Sequence, residues 1–393
     1  MSRIFITGIG IITSIGNSTE ENRVALMNGV CGISNKTKYP SKYSGVLPFG
    51  EIALSNDELK SSLNIHDESV TRATLLSVHA FEEAIKDARL SSKEISDSAF
   101  INATTVGGMS ETEELYHDIS ATQNASPFIS SYDVSAPTVF MQKHYGIKDF
   151  ANTINTACSS SANAIMLGAR LIKNGFVNKA IVGGVDCLSK MTINGFNALQ
   201  ILSDEVCKPF DADRKGLNLG EGAAFLVLEK EEDCANKKIY AEVKGYGNAN
   251  DAFHASSISD NGDGPFLAMQ TALDVAQLNA DEIDFINAHG TATENNDLTE
   301  SRAMLRLFKN VPRFVSVKAN IGHTLGAAGV IGAAYSALSI AYQEVYPALN
   351  FKNKIEEPGL VPNLQYEQKS LKHVMANAFG FGGNCTSLIL SKV

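Results

Sequence analysis

Three short stretches of this chain hold residue types able to do acyl-transfer chemistry. In Asn155-Thr156-Ala157-Cys158-Ser159-Ser160-Ser161-Ala162-Asn163-Ala164 a cysteine sits among small residues that let backbone approach closely. The pattern predicts a helix opening at Ser160, which puts Cys158 at a helix N-terminus. Negative charge is favoured there, so a thiol pKa falls, and the local backbone N–H groups can receive a developing oxyanion. Asn287-Ala288-His289-Gly290-Thr291-Ala292-Thr293 places a histidine at a strand end before a glycine turn. Lys318-Ala319-Asn320-Ile321-Gly322-His323-Thr324-Leu325-Gly326-Ala327-Ala328-Gly329 places a second at the mouth of a Gly/Ala-rich helix. A lone cysteine is commonly a buried structural residue, and a lone histidine is commonly a satisfied core residue. Two histidines in glycine-framed turns together with a cysteine at a helix mouth point instead to a nucleophile served by imidazole donors. His66, His79, His117, His144, His254 and His373 lack that framing and read as structural or surface residues.

The elements that must position these residues alternate between short apolar strands and helices, the pattern of α/β layering. Arg3–Thr7, Ala99–Ala103, Lys179–Gly183, Gly222–Glu229 and Ile239–Gly245 read as strands. Ser18-x-x-Glu21 is a capping box before a helix that Asn28-Gly29 stops, and Thr74–Ala88 and Ser160–Lys173 read as helices. The acidic stretch Glu231-Glu232-Asp233 is the expected boundary between two halves, residues 1–230 and 231–393. Phe285-Ile286-Asn287-Ala288 echoes Phe100-Ile101-Asn102-Ala103. Each tetrad is followed downstream by a reactive residue opening a small-residue helix, Cys158 in one half and His323 in the other. That suggests a duplicated unit whose pseudo-symmetry brings the two helix N-termini together.

The chain as a whole narrows the function. At 393 residues it can bury a large core without metal or disulfide support. Its six cysteines are scattered with no C-x-x-C pair, which argues against a zinc site or disulfide framework. A net charge of −10 argues against nucleic acid as a partner and makes docking of an acidic protein depend on a local basic patch. No apolar run is expected to reach the ~18 residues that span a bilayer. Ile4 to Ile15, broken by glycines, reads as a buried strand and turn instead of a secretory signal. A cytoplasmic protein is expected.

From Thr156-Ala157-Cys158-Ser159-Ser160-Ser161, through 211–223 (DADRKGLNLGEGA), 288–297 (AHGTATENND) and 318–329, to 377–384 (NAFGFGGN), the chain resembles the elongating β-ketoacyl-[acyl-carrier-protein] synthases of fatty acid and type II polyketide synthesis. The resemblance covers nearly the whole chain, with the motifs in the family's order. It implies a thiolase-like five-layer αβαβα fold of two similar halves, no cofactor, and acyl- and malonyl-loaded acyl carrier protein as partner. It further implies a homodimer, or a heterodimer with a related subunit. By the resemblance Cys158 takes the acyl chain, while His289 and His323 bind the malonyl thioester carbonyl and promote decarboxylation. Backbone N–H groups of Cys158 and Phe381 form the oxyanion hole. Lys318 orders His323, with Asp297 as its charged partner. Thr291 and Thr293 line the malonyl site; Phe381 is a gate, framed by Gly380, Gly382 and Gly383, with Phe379 and Phe196 beside the substrate. A second histidine also suits decarboxylative condensation: imidazole donors can hold an enolate that carbon dioxide loss creates, whereas a His-Cys pair suits proton removal, as in thiolases.

The chain departs from the family's pattern in three places. Gly332 stands where an acidic residue is common, leaving the usual Lys–acid network incomplete. Gln200 stands where an arginine often meets the carrier, so Lys208, Arg214 or Arg72 must serve. Met109-Ser110-Glu111-Thr112 is more polar than a usual acyl-pocket wall. Saturated, polyene and aryl-polyene chains all remain open as substrates. Among rival readings, a dinucleotide loop at Gly8-Ile9-Gly10 lacks its third glycine, the position being Thr13. A non-catalytic chain-length-factor-like subunit usually lacks the nucleophile, which is present here.

Overall fold

The computed structural model describes residues 2–113 and 127–393, so His117 lies outside the described residues. The first half contributes strands β1 (Ile4–Thr13), β2 (Ala99–Ala103), β3 (Ala151–Ile154), β4 (Lys179–Asp186) and β5 (Gly222–Lys230). The second contributes β6 (Ala241–Asn250), β7 (Phe285–Asn287), β8 (Arg313–Val315), β9 (His373–Phe379) and β10 (Asn384–Ser391). Their order across the molecule is β3-β2-β4-β5-β1-β6-β10-β9-β7-β8. Read outward from the centre, each half runs first, fifth, fourth, second, third. The strand directions match as well: β2 is parallel to β3 and β4 as β7 is to β8 and β9, with the remaining pairs antiparallel. The tetrad echo thus marks equivalent strands, β2 and β7. The halves join where Phe5 pairs with Glu242 and Ile6 with Ala241, and Glu231–Asp233 forms a 3-10 turn linking β5 to β6.

Helices α1 (Arg72–Asp87) and α2 (Ala136–His144) cover the outer face of the first sheet half. α3 (Ser160–Lys173), preceded by Cys158, lies inside it. In the second half α4 (Asp263–Ala276) and α5 (Glu294–Leu307) lie outside and α6 (Ala328–Tyr342) inside. Residues of α3 and α6 share one core with strands of both halves, so the layers run helix, sheet, helix, sheet, helix. This is the five-layer arrangement expected from the resemblance.

Two expectations change. β1 continues through Gly8-Ile9-Gly10 to Thr13, with all ten residues buried. Its glycines serve packing and not a phosphate: a Cβ on Gly8 would lie 2.3 Å from the Ala84 carbonyl oxygen, and one on Gly10 1.9 Å from that of Ala80, both in α1. Leu325–Tyr342 is also an 18-residue stretch long and apolar enough to cross a bilayer, contrary to the expectation that no such run exists. It is 78% buried within the protein, because α6 is apolar on every side and packed between the two halves of the sheet.

The inner helices touch at their N-terminal ends. A Cβ on Gly329 would lie 2.6 Å from the Ala162 backbone nitrogen, and the Val330 N–H donates to Ser161 Oγ at 2.9 Å. Gly329→Ala is therefore expected to over-pack this contact and cost about 1–3 kcal/mol, read as a lowered urea midpoint. An unchanged midpoint would contradict the close approach.

Candidate active site

Each reactive side chain stands at a sharp bend that its own sequence enforces. Ala157 holds φ +54, a left-handed conformation unfavourable for a residue with a side chain. This turns the chain from β3 into α3 and presents Cys158. The Thr156 N–H donates to Ser160 Oγ at 2.8 Å and braces the turn. Gly290 follows His289 with φ +37, and a Cβ there would meet Ser316 Cβ at 2.5 Å. Gly322 precedes His323 with φ +77.

The three residues line one cavity of about 760 Å³, together with Phe196, Thr291, Thr293, Phe379, Gly380, Phe381 and Gly383. The His289 and His323 rings lie 5.4 Å apart, nearly perpendicular, and Phe379 sits 5.7 Å from His289. Thr291 and Thr293 share a 2.8 Å hydroxyl hydrogen bond on the cavity wall. Phe381 stacks on Phe196 at 5.6 Å and 14°. Gly382 stands outside the lining, with φ +80. The backbone N–H groups of Phe381 and Cys158 both favour negative charge on the Cys158 sulfur, and Phe381 lines the same cavity as that sulfur.

The hydrogen bonds determine both tautomers. The Lys318 ammonium, which can only donate, lies 3.3 Å from His289 Nδ1 and also donates to the His289 carbonyl oxygen. The Leu325 N–H donates to His323 Nδ1 at 3.1 Å. With each Nδ1 accepting, a neutral imidazole must carry its hydrogen on Nε2. Burial, reinforced by Lys318, holds both imidazoles well below the usual histidine range, so they are neutral. Two neutral N–H donors thus share the cavity with the sulfur.

Several sequence expectations are corrected here. Contrary to the fall expected at a helix terminus, burial pushes the Cys158 thiol up to about 11, although Lys318 and the two backbone N–H groups pull it down. Lys318 is hydrogen-bonded to His289 and not to His323. Asp297 makes no hydrogen bond to Lys318, though it is one of the charges that raise the lysine's pKa, behind Glu300; its carboxylate accepts from the backbone N–H of Phe210 at 2.6 Å and of Ala292 at 3.1 Å. The main counter-charge to Lys318 is Glu300, which the sequence reading missed. Its two oxygens accept from the backbone N–H of His289 and Gly290, each at 2.8 Å. One signal was available: Glu300 follows Asp297 by three residues on α5, on the same helical face. Asp186 was also missed. Fully buried at the end of β4, it accepts from Thr104 Oγ1, Thr105 Oγ1 and the Gly326 N–H at 2.6–2.7 Å, tying the first half to the His323 segment.

The expected docking cations are engaged. Arg72, half-buried, is held against Glu221 at 2.6 Å and the carbonyls of Ile52 and Leu54. Arg214 donates to the carbonyls of Asp211, Thr293 and Glu294, and Lys208 pairs with Glu205, which also holds Lys215. Gln200 lines the cavity, whereas Met109–Thr112 forms a short helix away from it.

Family models described as the β-ketoacyl synthase N-terminal and C-terminal domains match residues 1–234 and 240–352. The chain belongs to the β-ketoacyl synthase family. A relative named 3-oxoacyl-[acyl-carrier-protein] synthase 2 from Staphylococcus aureus (strain N315) is 32% identical, over 99% of this chain and 98% of its own. A mitochondrial 3-oxoacyl-[acyl-carrier-protein] synthase from Arabidopsis thaliana is 29% identical, over 100% and 93%. Among solved structures, the ishigamide ketosynthase/chain length factor superposes with TM-score 0.93 at 30% identity, covering 100% of this chain and 99% of that one. The ketosynthase ApeO in complex with its chain length factor ApeC from Xenorhabdus doucetiae gives 0.87 at 29%, covering 100% and 98%. The fold is that of the thiolase-like ketosynthases, and the chain is an acyltransferase-class condensing enzyme.

Burial lowers the Lys318 pKa to about 8. Below that value the ammonium polarises His289 through Nδ1; above it the charge is lost. In a Cys158→Ala background, malonyl-thioester decarboxylation is expected to be flat from about pH 6 to 7 and to fall as pH rises through about 8. Lys318→Gln should remove that fall. A rate that climbed through this range would contradict the assignment.

Proposed function

We propose that this enzyme is a 3-oxoacyl-[acyl-carrier-protein] synthase in which Cys158, His289 and His323 carry the chemistry. Cys158 attacks the acyl thioester carbonyl; the sulfur–carbonyl bond to the carrier breaks, and the carrier thiol leaves with the proton of Cys158. Both Nε2–H groups then hold the carbonyl oxygen of the malonyl thioester. Its carbon–carboxylate bond breaks, carbon dioxide departs, and the electron pair remains as an enolate. The enolate carbon attacks the acyl-Cys158 carbonyl, whose oxygen lies at the N–H groups of Cys158 and Phe381, and the cysteine sulfur leaves as a thiolate that takes a proton from water. The observation carrying this reading is that each Nδ1 already accepts a hydrogen bond. The imidazoles can therefore donate to an enolate and cannot act through Nδ1 as bases. Thr291 and Thr293 border the malonyl thioester, and movement of Phe381 away from Phe196 admits the acyl chain.

Acyl carrier protein is the partner in this reading, supported by the relatives' names, and the pathway is fatty acid or polyketide synthesis. A second chain, identical or related, completes the assembly. Two observations support that: the outer edge of β3 pairs with no strand among the described residues, and both solved ketosynthases named above pair with a chain length factor. The enzyme works in the cytoplasm in this reading, supported by the core position of its most apolar stretch.

Incubation with acyl- and malonyl-loaded carrier protein should release carbon dioxide and give the 3-oxoacyl product by mass spectrometry. Cys158→Ala should abolish condensation, and its persistence would refute the nucleophile. His323→Ala should slow malonyl decarboxylation at least ~100-fold; an unaltered rate would remove its role. Light scattering should report a dimer, and a monomer at micromolar concentration would count against the second chain.

A further inference from the structure

The segment carrying Phe381 and the turn carrying Cys158 come from different halves, yet both line the one cavity and their backbones press together beside the sulfur. A partly buried polar network lies directly behind that contact. Asn384 follows Phe381-Gly382-Gly383 and opens β10. Its carbonyl closes the loop by accepting the Gly380 N–H at 2.8 Å. Its side-chain oxygen Oδ1 faces the other half, with Ser159 Oγ at 2.7 Å and Asn163 Nδ2 at 2.9 Å, one residue and five residues beyond Cys158. Asn248 Nδ2, on neighbouring β6, lies 2.9 Å from the same oxygen. Asn163 also donates to Thr156 Oγ1 at 2.8 Å and accepts from Thr386 Oγ1 at 2.8 Å.

The backbones are pressed together at the same place. A Cβ on Gly380 would lie 2.7 Å from the Thr156 carbonyl oxygen and 3.2 Å from the Cys158 nitrogen. Contact alone does not set the register of two N–H groups, because a loop with left-handed glycines at 382 and 383 can slide. Asn384 Oδ1 supplies what contact lacks, a directional acceptor drawing donors from the nucleophile turn. The Ser159 hydroxyl has one hydrogen and two acceptors at 2.7 Å, Asn384 Oδ1 and the Thr156 carbonyl, so its bond to the loop is exchangeable. That suits a loop that must release Phe381 and return.

We propose that Asn384 is a positioning residue for acyl transfer: it holds the Phe381 N–H in register with the Cys158 N–H across the junction of the two halves. This rests on Cys158 being the acyl acceptor, which parallel wild-type and Cys158→Ala acylation assays test separately. Asn384 touches neither imidazole, so it bears on acyl transfer and leaves malonyl decarboxylation alone.

Four readouts on the full-length enzyme test this: Cys158 acylation from acyl carrier protein by quench and intact mass, Cys158 alkylation by iodoacetamide, malonyl decarboxylation, and the thermal midpoint. Asn384→Ala is expected to slow acylation at saturating carrier about tenfold by displacing one oxyanion donor, with KM for the carrier, alkylation and decarboxylation each within about twofold. Asn384→Thr, which keeps an oxygen acceptor, should restore acylation to within about threefold of the parent. Should Asn384→Ala not fold, Ser159→Ala removes the opposing donor and should show the same selective loss. Acylation within twofold of the parent, or a parallel fall of acylation, alkylation and decarboxylation, would overturn the proposal.

Discussion

The site depends on a backbone contact between two helices that begin far apart in the chain. Gly329 and Ala162 let the N-terminal ends of α6 and α3 approach to where a side chain on Gly329 would not fit. Only there can a sulfur at one helix mouth and an imidazole at the other face the same space. Ser161 and Asp186 then stitch the contact, one receiving the Val330 N–H and the other the Gly326 N–H. Pseudo-symmetry explains why the meeting point is central: two copies of one βα unit, back to back, place equivalent helix mouths together. Cys158 occupies one and His323 the other.

Burial sets the electrostatics once that geometry exists. Removing water disfavours every charge in the pocket, so the imidazoles stay neutral and the thiol stays protonated at rest. Lys318 is the exception, held charged near neutrality by Glu300 and by its bonds to His289. Because its cation meets Nδ1, one buried charge both selects the tautomer of the His289 ring and strengthens its Nε2–H as a donor. A lysine directed at the substrate would bind the malonyl carboxylate and hinder its loss; directed at His289, it acts through the ring.

Much of this was legible from residue types in order. The small-residue run after Cys158 announces both a helix and a close approach, and α3 occupies the expected residues. The tetrads ending in Ala103 and Ala288 mark equivalent strands because a duplicated strand keeps its burial pattern. What could not be read depends on distance through space. Glu300 carries no local signature beyond its helical spacing from Asp297, since its function is to accept two backbone N–H groups in another segment. Arg72 looks like any surface cation until Glu221, far along the chain, encloses it. The glycines of β1 resemble half a phosphate loop because both uses need a missing Cβ, and only the position of α1 decides between them.

Locking a hydrogen onto each ring's outward nitrogen has a thermodynamic consequence. A pocket whose imidazoles arrive already loaded has no vacant basic nitrogen with which to strip an α-hydrogen from an ordinary acetyl group. It must receive its carbon nucleophile in masked form, as a carboxylated thioester, and unmask it by expelling a gas. The driving force for chain growth is thereby supplied upstream, wherever the carboxylate was attached. Escape of carbon dioxide, not any protein group, makes each extension one-way.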